Sequence, residues 1–239
     1  MKLDLLAAIT ITGSASIAIA TLAIGFAQTR VTRIRIVAGL CVWFIAVVVL
    51  AAADAFDYGR GLGVGGLGIA VILPIAILTA SALYARSWRE RLDAIPISTL
   101  IGVNAIRVFG GMFVAMYVVG RLPAPFAPVA GWGDVLVGIT AIPVAWLAQH
   151  GKGIRIRALV MFWNTFGLLD LAAAVGLGVF SSPGPLRLIY TAPGSGIMTT
   201  LPWLLIPAFL VPLLAATHLA VFHRLRRTNA PGSHTVAMA

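Results

Sequence analysis

The sequence predicts an all-α integral membrane protein, a bundle of seven transmembrane helices with its N-terminus outside and its C-terminus in the cytoplasm. Three observations lead to this fold class. Of the 239 residues, 60% are hydrophobic and 10% are charged, whereas soluble domains carry about 25% charged residues. The apolar residues form runs of about 20 residues, the length that a helix needs to cross the hydrocarbon core. The basic residues, which give a net charge of +10, lie in small groups between these runs.

Seven apolar runs have the length and composition of a membrane-spanning helix. The first has full spanning length and no convincing cleavage site, so we expect it to be retained. In the seventh, Pro202 suits a helix start, whereas Pro207 and Pro212 each remove a backbone hydrogen bond from the helix interior. The predicted spans are 4–26, 36–56, 67–85, 97–119, 128–149, 158–180 and 202–222.

The basic residues are distributed unequally between the two sides of the predicted membrane. Twelve lie on one side, namely Arg30, Arg33, Arg35, Arg86, Arg89, Arg91, Lys152, Arg155, Arg157, Arg224, Arg226 and Arg227. Four lie on the other side, namely Lys2, Arg60, Arg121 and Arg187. Because cytoplasmic loops keep the excess of Lys and Arg, this distribution predicts an outside N-terminus. We expect the protein in the cell membrane, a bacterial-type inner membrane.

The chain is expected to form one transmembrane domain over residues 1–227, followed by a disordered cytoplasmic tail over residues 228–239. The tail, TNAPGSHTVAMA, is polar and has no apolar run that could bury it. In the first span, Thr12, Ser16 and Ala20 recur every four residues. Such a stripe of small residues predicts a face on which a neighbouring helix approaches closely.

One arginine, Arg107, lies near the middle of the fourth span. A charged side chain there costs about 2.5–3.5 kcal/mol on insertion scales unless it is paired or hydrated. Asn104 lies three residues before Arg107 and Gly111 four residues after it, which places all three on one helical face. Arg107 therefore requires a polar partner on another helix.

Two aspartates are candidates for that partner. Asp170 lies near the middle of the sixth span, at the same predicted depth as Arg107, with Asn164 one turn nearer the cytoplasm. Asp134 lies one to two turns below the outer surface in the fifth span and is the reserve partner. The sequence thus predicts an Arg107–Asp170 ion pair, which either fixes helix packing or, together with Asn104, Asn164 and Asp134, binds a substrate in a hydrated cavity.

The sequence lacks the residues that zinc, retinal and haem sites require. Seven spans in this orientation resemble the alkaline ceramidase and adiponectin-receptor group of zinc hydrolases, but of the histidines only His218 lies within a span, and a zinc site needs three converging ligands. The topology also resembles microbial rhodopsins, whose chromophore requires a lysine in the last helix that this chain lacks. Haem ligation by His218 is disfavoured because the usual b-type site needs a second buried histidine. We therefore predict no metal and no cofactor, and we expect His218 to bond a neighbour near the cytoplasmic helix end.

The polar residues in the spans favour a transporter or channel-like protein for a small polar or anionic solute. In this hypothesis Arg107 holds an anionic group and Asp170 or Asp134 carries a proton. Two alternatives stay open: a non-enzymatic subunit or sensor with a structural ion pair, and a lipid-modifying enzyme that uses the aspartates as acid or base. The expected partners are the lipid bilayer, the solute and further subunits of an oligomer. The absence of a base-reading motif argues against nucleic acid, and no catalytic residue is assigned.

Overall fold

A computed structural model describes residues 2–26 and 29–227 of the chain. All regular elements in these two ranges are helices. Seven of them are long and apolar enough to cross a membrane, so the protein is a multi-pass, all-helical membrane protein. The helices are α1 (Lys2–Phe26), α2 (Arg30–Ala52), α3 (Gly63–Tyr84), the short α4 (Arg86–Ala94), α5 (Ile97–Val118), α6 (Phe126–His150), α7 (Ile154–Ser181) and α8 (Ile206–Arg227), with a single 3-10 turn at Gly196–Thr199 between α7 and α8. The predicted tail, 228–239, lies outside the described residues.

The bounds of α2 and α8 differ from the predicted spans. Helix α2 begins at Arg30 rather than at residue 36, because the Thr29 hydroxyl caps it by accepting a hydrogen bond from the Thr32 N–H at 3.2 Å. Residues 201–204 form turns, so the last span covers Ile206–Arg227 instead of 202–222. Because the helix begins and ends later than predicted, each of its residues lies closer to the helix N-terminus. His218 consequently lies near the middle of α8.

Helix α8 is the most buried of the seven spanning helices, whereas α6 packs against α5 and α7 and exposes one apolar face. Helix α8 packs against α3, α5 and α7, and its preceding turn supplies the fully buried Trp203. Helix α1 packs against α2 and α5. The periphery is occupied by α2, in which Val47 alone is buried among the described residues of that helix. Polar side chains on the well-packed helices are therefore shielded from lipid by their neighbours.

The small-residue stripe of α1 does not face the bundle. Thr12, Ser16 and Ala20 are exposed on the outside of the protein, whereas Ala7 and Ala15 are among the residues that pack inward. Within the described residues, no helix of the chain therefore packs on this stripe. Small residues permit close approach but do not determine which face is used, and in α1 the buried face carries alanines as well.

Polar contacts fasten the helix ends at both faces of the bundle. At one face Arg121 binds Asp4 through Nη2 and Oδ1 at 2.8 Å, and Trp203 Nε1 donates to the same carboxylate at 3.2 Å. At the opposite face Arg224 donates to the backbone oxygens of Asp93 and Ile95, which end α4. Each contact joins segments distant in sequence, so together they define two polar layers separated by the apolar bundle.

Candidate functional site

The candidate site is built on a change of helix type in the middle of α5. Residues Val103–Gly110 form a 3-10 helix between the α-helical segments Ile97–Gly102 and Gly111–Val118. In a 3-10 helix the residues at i and i+3 lie above one another, so Asn104, Arg107 and Gly110 share one face. Gly110, rather than the predicted Gly111, therefore shares the face of Arg107: a Cβ added to Gly110 would meet the Asp134 carboxylate, whereas one added to Gly111 would meet Val135.

Arg107 binds side chains on three other helices. Its Nε donates to Asp134 Oδ1 on α6 at 2.6 Å, and its Nη2 donates to Asp170 Oδ2 on α7. Its Nη1 donates to the Gly167 carbonyl at 3.0 Å and lies 3.3 Å from His218 Nε2 on α8. Only 1% of the Arg107 side chain is exposed. We call Arg107, Asp134, Asp170 and His218 the Arg107 cluster.

The structure brings both candidate aspartates onto Arg107 at once. The Arg107–Asp170 contact expected from depth is present, and Asp134, expected only as a reserve, is bound as well. The side chains of Asp134 and Asp170 are 14% and 6% exposed. One guanidinium therefore bridges two carboxylates in the interior of the bundle. An arginine suits this position because its planar donors point in several fixed directions.

Asn164 forms hydrogen bonds with His218 rather than with Arg107. Its Oδ1 is 2.8 Å from His218 Nδ1, and its Nδ2 donates to the His218 backbone oxygen at 3.0 Å. An arginine has donors but no acceptor, so His218 Nε2 accepts from Arg107 and Nδ1 carries the proton donated to Asn164. The imidazole is thereby assigned as the neutral Nδ1–H tautomer. Both ring nitrogens are engaged, so metal or haem ligation would require breaking the contact with Arg107 or the one with Asn164.

Asn104 contacts α8 next to the cluster. Its Nδ2 donates to Thr217 Oγ1 at 3.2 Å and to the Leu100 carbonyl at 3.0 Å. It makes no hydrogen bond to Arg107 among the described contacts, although the two side chains share a helix face. Of the predicted binding residues, Asp134 and Asp170 therefore bind Arg107 directly, while Asn104 and Asn164 orient residues of α8.

Glycines on α6 and α7 create the space for the cluster. A Cβ on Gly133 would collide with the Asp170 carboxylate, and one on Gly167 would lie 2.9 Å from His218 Nε2. Gly138 faces the backbone of Arg107, where a Cβ would lie 2.9 Å from the Arg107 carbonyl carbon. Such close approach is the usual reason for small residues at helix interfaces in membranes. Here it allows three charged side chains to meet.

The residues missed from the sequence were His218 and Thr217. The predicted span 202–222 placed them near a helix end, where a polar side chain reaches the headgroup layer. One signal was available in the sequence: the basic residues Arg224, Arg226 and Arg227 mark the membrane boundary. Extending the helix to that boundary moves His218 toward the depth of Arg107.

A small cavity adjoins the cluster. It has a volume of about 50 Å³, and Ser14, Arg107, Gly110 and Asp134 are among its lining residues. A polar cavity needs about 10–15 Å³ to hold one water molecule, so this space admits water or a very small solute beside the Arg107–Asp134 contact. Within the described residues, no group of three or more His, Cys, Asp or Glu side chains is arranged to hold a metal ion.

These observations define a class of protein, a seven-helix membrane protein with a buried arginine–dicarboxylate cluster. Residues 64–226 match the model of a protein family described as a domain of unknown function, DUF8737. The chain belongs to this family. The matched range contains all four residues of the Arg107 cluster. Comparisons with curated proteins and with solved structures gave no match.

Proposed function

We propose that the protein is a proton-coupled membrane transporter of a small monovalent anion, with the Arg107 cluster as its binding site. The observation that carries this proposal is that two buried carboxylates face one guanidinium beside a neutral imidazole. With both carboxylates ionised, the cluster has one excess negative charge. Excess charge in a low-dielectric interior is costly, so the cluster has the capacity to take up one proton.

Asp134 is the group best placed to exchange that proton. It lines the small cavity together with Arg107, and its side chain is more exposed than that of Asp170. Proton uptake by Asp134 removes its charge and weakens its hold on Arg107 Nε. An anionic solute then binds the released guanidinium through a charge-assisted hydrogen bond. The net charge of the cluster is the same when it is empty as when it holds one proton and one monovalent anion.

The proposed orientation places the N-terminus outside and α4 at the cytoplasmic face of a bacterial-type inner membrane. It is supported by the twelve basic residues on the α4 side against four on the other side. Arg224 contacts the end of α4, so two of the basic groups lie at one face of the bundle. In this orientation the Asp134 end of the cluster is nearer the outer face.

Chemical modification tests the proton site without knowledge of the solute. A lipophilic carbodiimide reacts with protonated carboxyl groups in apolar surroundings, and peptide mass spectrometry locates the product. We expect modification of Asp134 that increases as the buffer is made more acidic. The exposed carboxylate of Asp54, which pairs with Arg60 at 2.9 Å, serves as the internal comparison outside the bundle.

Proteoliposomes test the coupled transport. Vesicles containing a pH-sensitive dye are given an inward gradient of nitrate, and separately of lactate, as probe anions. We expect the wild-type protein to acidify the lumen with at least one of these anions, Asp134→Asn to abolish the effect, and Asp54→Asn to retain it. Absence of both the carbodiimide reaction and anion-dependent acidification contradicts the proposal.

A second candidate function is a membrane subunit or sensor in which the cluster only sets helix packing. It is favoured by the near-complete burial of Arg107, all three of whose side-chain nitrogens have partners. This role predicts an unreactive Asp134 and full function in cells after all three charges are removed. The alternative of a lipid-modifying enzyme finds less support, because both aspartates of the cluster bind Arg107 and their side chains are only 14% and 6% exposed.

A further inference from the structure

A large apolar cleft opens between α2 and α3. Its volume is about 1040 Å³, slightly above the range of about 300–1,000 Å³ of small-molecule sites. Most of its lining comes from α2, α3 and α8, including Leu40, Trp43, Ile69, Leu73, Leu213 and Ala216. We call this space the α2–α3 cleft. It is distinct from the 50 Å³ cavity beside Arg107.

The α4 end of the cleft is basic. Arg35, Arg91 and Arg226 line it, and all three are exposed. None of them has a carboxylate within salt-bridge distance among the described residues. The nearby acidic residues are engaged elsewhere: Glu90 binds Arg86 at 2.9 Å, and Asp93 binds Arg227. Three guanidinium groups therefore surround the mouth of an apolar cleft without an anionic partner from the described chain.

Helix α4 borders the mouth of the cleft at the level expected for lipid headgroups. It is a short polar helix with Trp88 on its inner side, and Trp88 stacks on Phe26 with ring centroids 5.9 Å apart. Trp88 also lines the cleft. Tryptophan is enriched at membrane interfaces because its ring is apolar and its N–H is polar. The arginines of the mouth thus lie where the phosphate of a bilayer lipid is found.

We propose that the α2–α3 cleft binds an anionic phospholipid of the leaflet on the α4 side. Its acyl chains lie between α2 and α3, and its phosphate and anionic headgroup lie among Arg35, Arg91 and Arg226. Basic pockets between transmembrane helices are the general form of such sites, and guanidinium groups bind phosphate oxygens through paired donors. This inference is independent of the proposed transport, because lipid binding is measured without a solute.

The same charges argue against a second copy of the chain as the occupant. Two copies in one membrane share their orientation, so their arginine groups would lie at the same depth and repel each other. An anionic phospholipid supplies the opposite charge and the apolar length together. A partner helix would need acidic residues at this depth.

Native mass spectrometry tests the proposal on the purified full chain. The protein is given phosphatidylglycerol and phosphatidylcholine with identical acyl chains in equal amounts, and the bound lipid is identified from the mass. We expect phosphatidylglycerol to be preferred at least tenfold. The variant Arg35→Gln/Arg91→Gln/Arg226→Gln should lose this preference, since each basic residue near an anionic lipid contributes about fivefold to binding.

A matched control removes the same charge elsewhere on that face. Arg33, Arg89 and Arg155 lie at the same end of the bundle but do not line the cleft. Arg33→Gln/Arg89→Gln/Arg155→Gln should keep the preference for phosphatidylglycerol. A second variant, Ala70→Trp, fills the cleft wall and leaves every arginine in place. It should reduce lipid binding at least fivefold, which keeps the test informative if the triple variant fails to fold.

Four kinds of result would overturn the proposal. The first is equal binding of the two phospholipids by the wild-type protein, and the second is an equal loss in the cleft and control triple variants. The third is displacement of phosphatidylglycerol by glycerol phosphate alone, which would make the site one for a soluble phosphate rather than a lipid. Purification of a lipid-free dimer, or of a stable complex with another protein that covers the cleft, would assign the surface to that partner instead.

Discussion

At the scale of single residues, the question set by Arg107 is how one buried cation is neutralised. The sequence favoured one partner at equal depth, and the structure provides two carboxylates and an imidazole. Removing one partner from a buried ion pair costs about 3–5 kcal/mol, because the other charge is left without compensation. Because the cluster has three charges, the stability of a double variant depends on which carboxylate remains charged without a partner.

The first prediction concerns this dependence. Arg107→Met should destabilise the protein by about 3–5 kcal/mol, since it leaves two carboxylates facing each other. Adding Asp170→Leu should restore only part of the stability, because Asp134 keeps an unpaired charge. The triple variant Arg107→Met/Asp134→Leu/Asp170→Leu should recover most of it. Thermal unfolding in mild detergent measures each step.

The control for this series is the exposed pair of Arg60 and Asp54, whose side chains are 79% and 52% exposed. Arg60→Met should change the unfolding temperature little, because exposed pairs contribute about 0–1 kcal/mol. If the double variant at Arg107 and Asp170 recovers as fully as the triple variant, Asp134 is not an energetic partner of Arg107.

At the scale of helices, the decisive feature is the 3-10 stretch Val103–Gly110 in α5. A 3-10 stretch inside a helix often marks a functional or strained segment. Here it aligns Asn104 and Arg107 and allows α6 to approach so closely that Gly138 touches the α5 backbone. The position of the Arg107 guanidinium between α6 and α7 thus depends on Gly138, which has no side chain to hold the two helices apart.

The second prediction tests this close approach. In Gly138→Ala, the added Cβ would lie 2.9 Å from both the carbonyl carbon of Arg107 and the Cα of Val108, so α5 and α6 must separate. Overpacking of this kind costs about 1–3 kcal/mol. The free energy of unfolding of Gly138→Ala should fall by that amount, and the Arg107–Asp134 contact should weaken.

Gly176→Ala on α7 is the matched control, because a Cβ at Gly176 meets nothing within 4 Å. Alanine is favoured over glycine inside a helix by about 0.5–1 kcal/mol, so this variant should be neutral or slightly more stable. Equal destabilisation by the two substitutions would show that backbone contact at Gly138 is not the cause. Unfolding in mild detergent provides the comparison.

At the scale of the whole molecule, the polar contacts separate into two layers and a buried centre. Asp4, Arg121 and Trp203 meet at one face, and α4 meets the end of α8 at the other. Between these layers lies the Arg107 cluster, enclosed by α5, α6, α7 and α8. The α2–α3 cleft lies on the other side of α8, and one of its lining residues, Thr217, contacts Asn104.

The third prediction concerns the orientation of the whole bundle. In a Cys41→Ala background, which removes the sole cysteine, Tyr190→Cys and Ser87→Cys introduce reporters at two exposed positions of opposite faces. The proposed orientation puts the face rich in Lys and Arg in the cytoplasm, so in intact cells an impermeant maleimide should label residue 190 and not residue 87. Labelling at residue 87 alone would reverse the orientation.

Composition and hydrophobic length determined the membrane class and the number of spanning helices, because the cost of exposing polar groups to lipid applies to each segment separately. They did not show α4, whose residues form no apolar run, and they misplaced the bounds of α2 and α8. Hydropathy averages over a window of residues, whereas a helix end is set by single contacts such as the cap at Thr29.

The sequence by itself also determined that Arg107 needs a buried carboxylate, since an unpaired charge in the bilayer is costly wherever the helix lies. Only the tertiary structure decided that two carboxylates and His218 all contact Arg107, whereas Asn104 and Asn164 bind residues of α8. It also decided that α2 and α3 are separated by a cleft with a basic mouth. Depth can be counted along each helix. The rotation of neighbouring helices and the places where they separate depend on packing between segments far apart in the chain, such as Gly138 against Arg107.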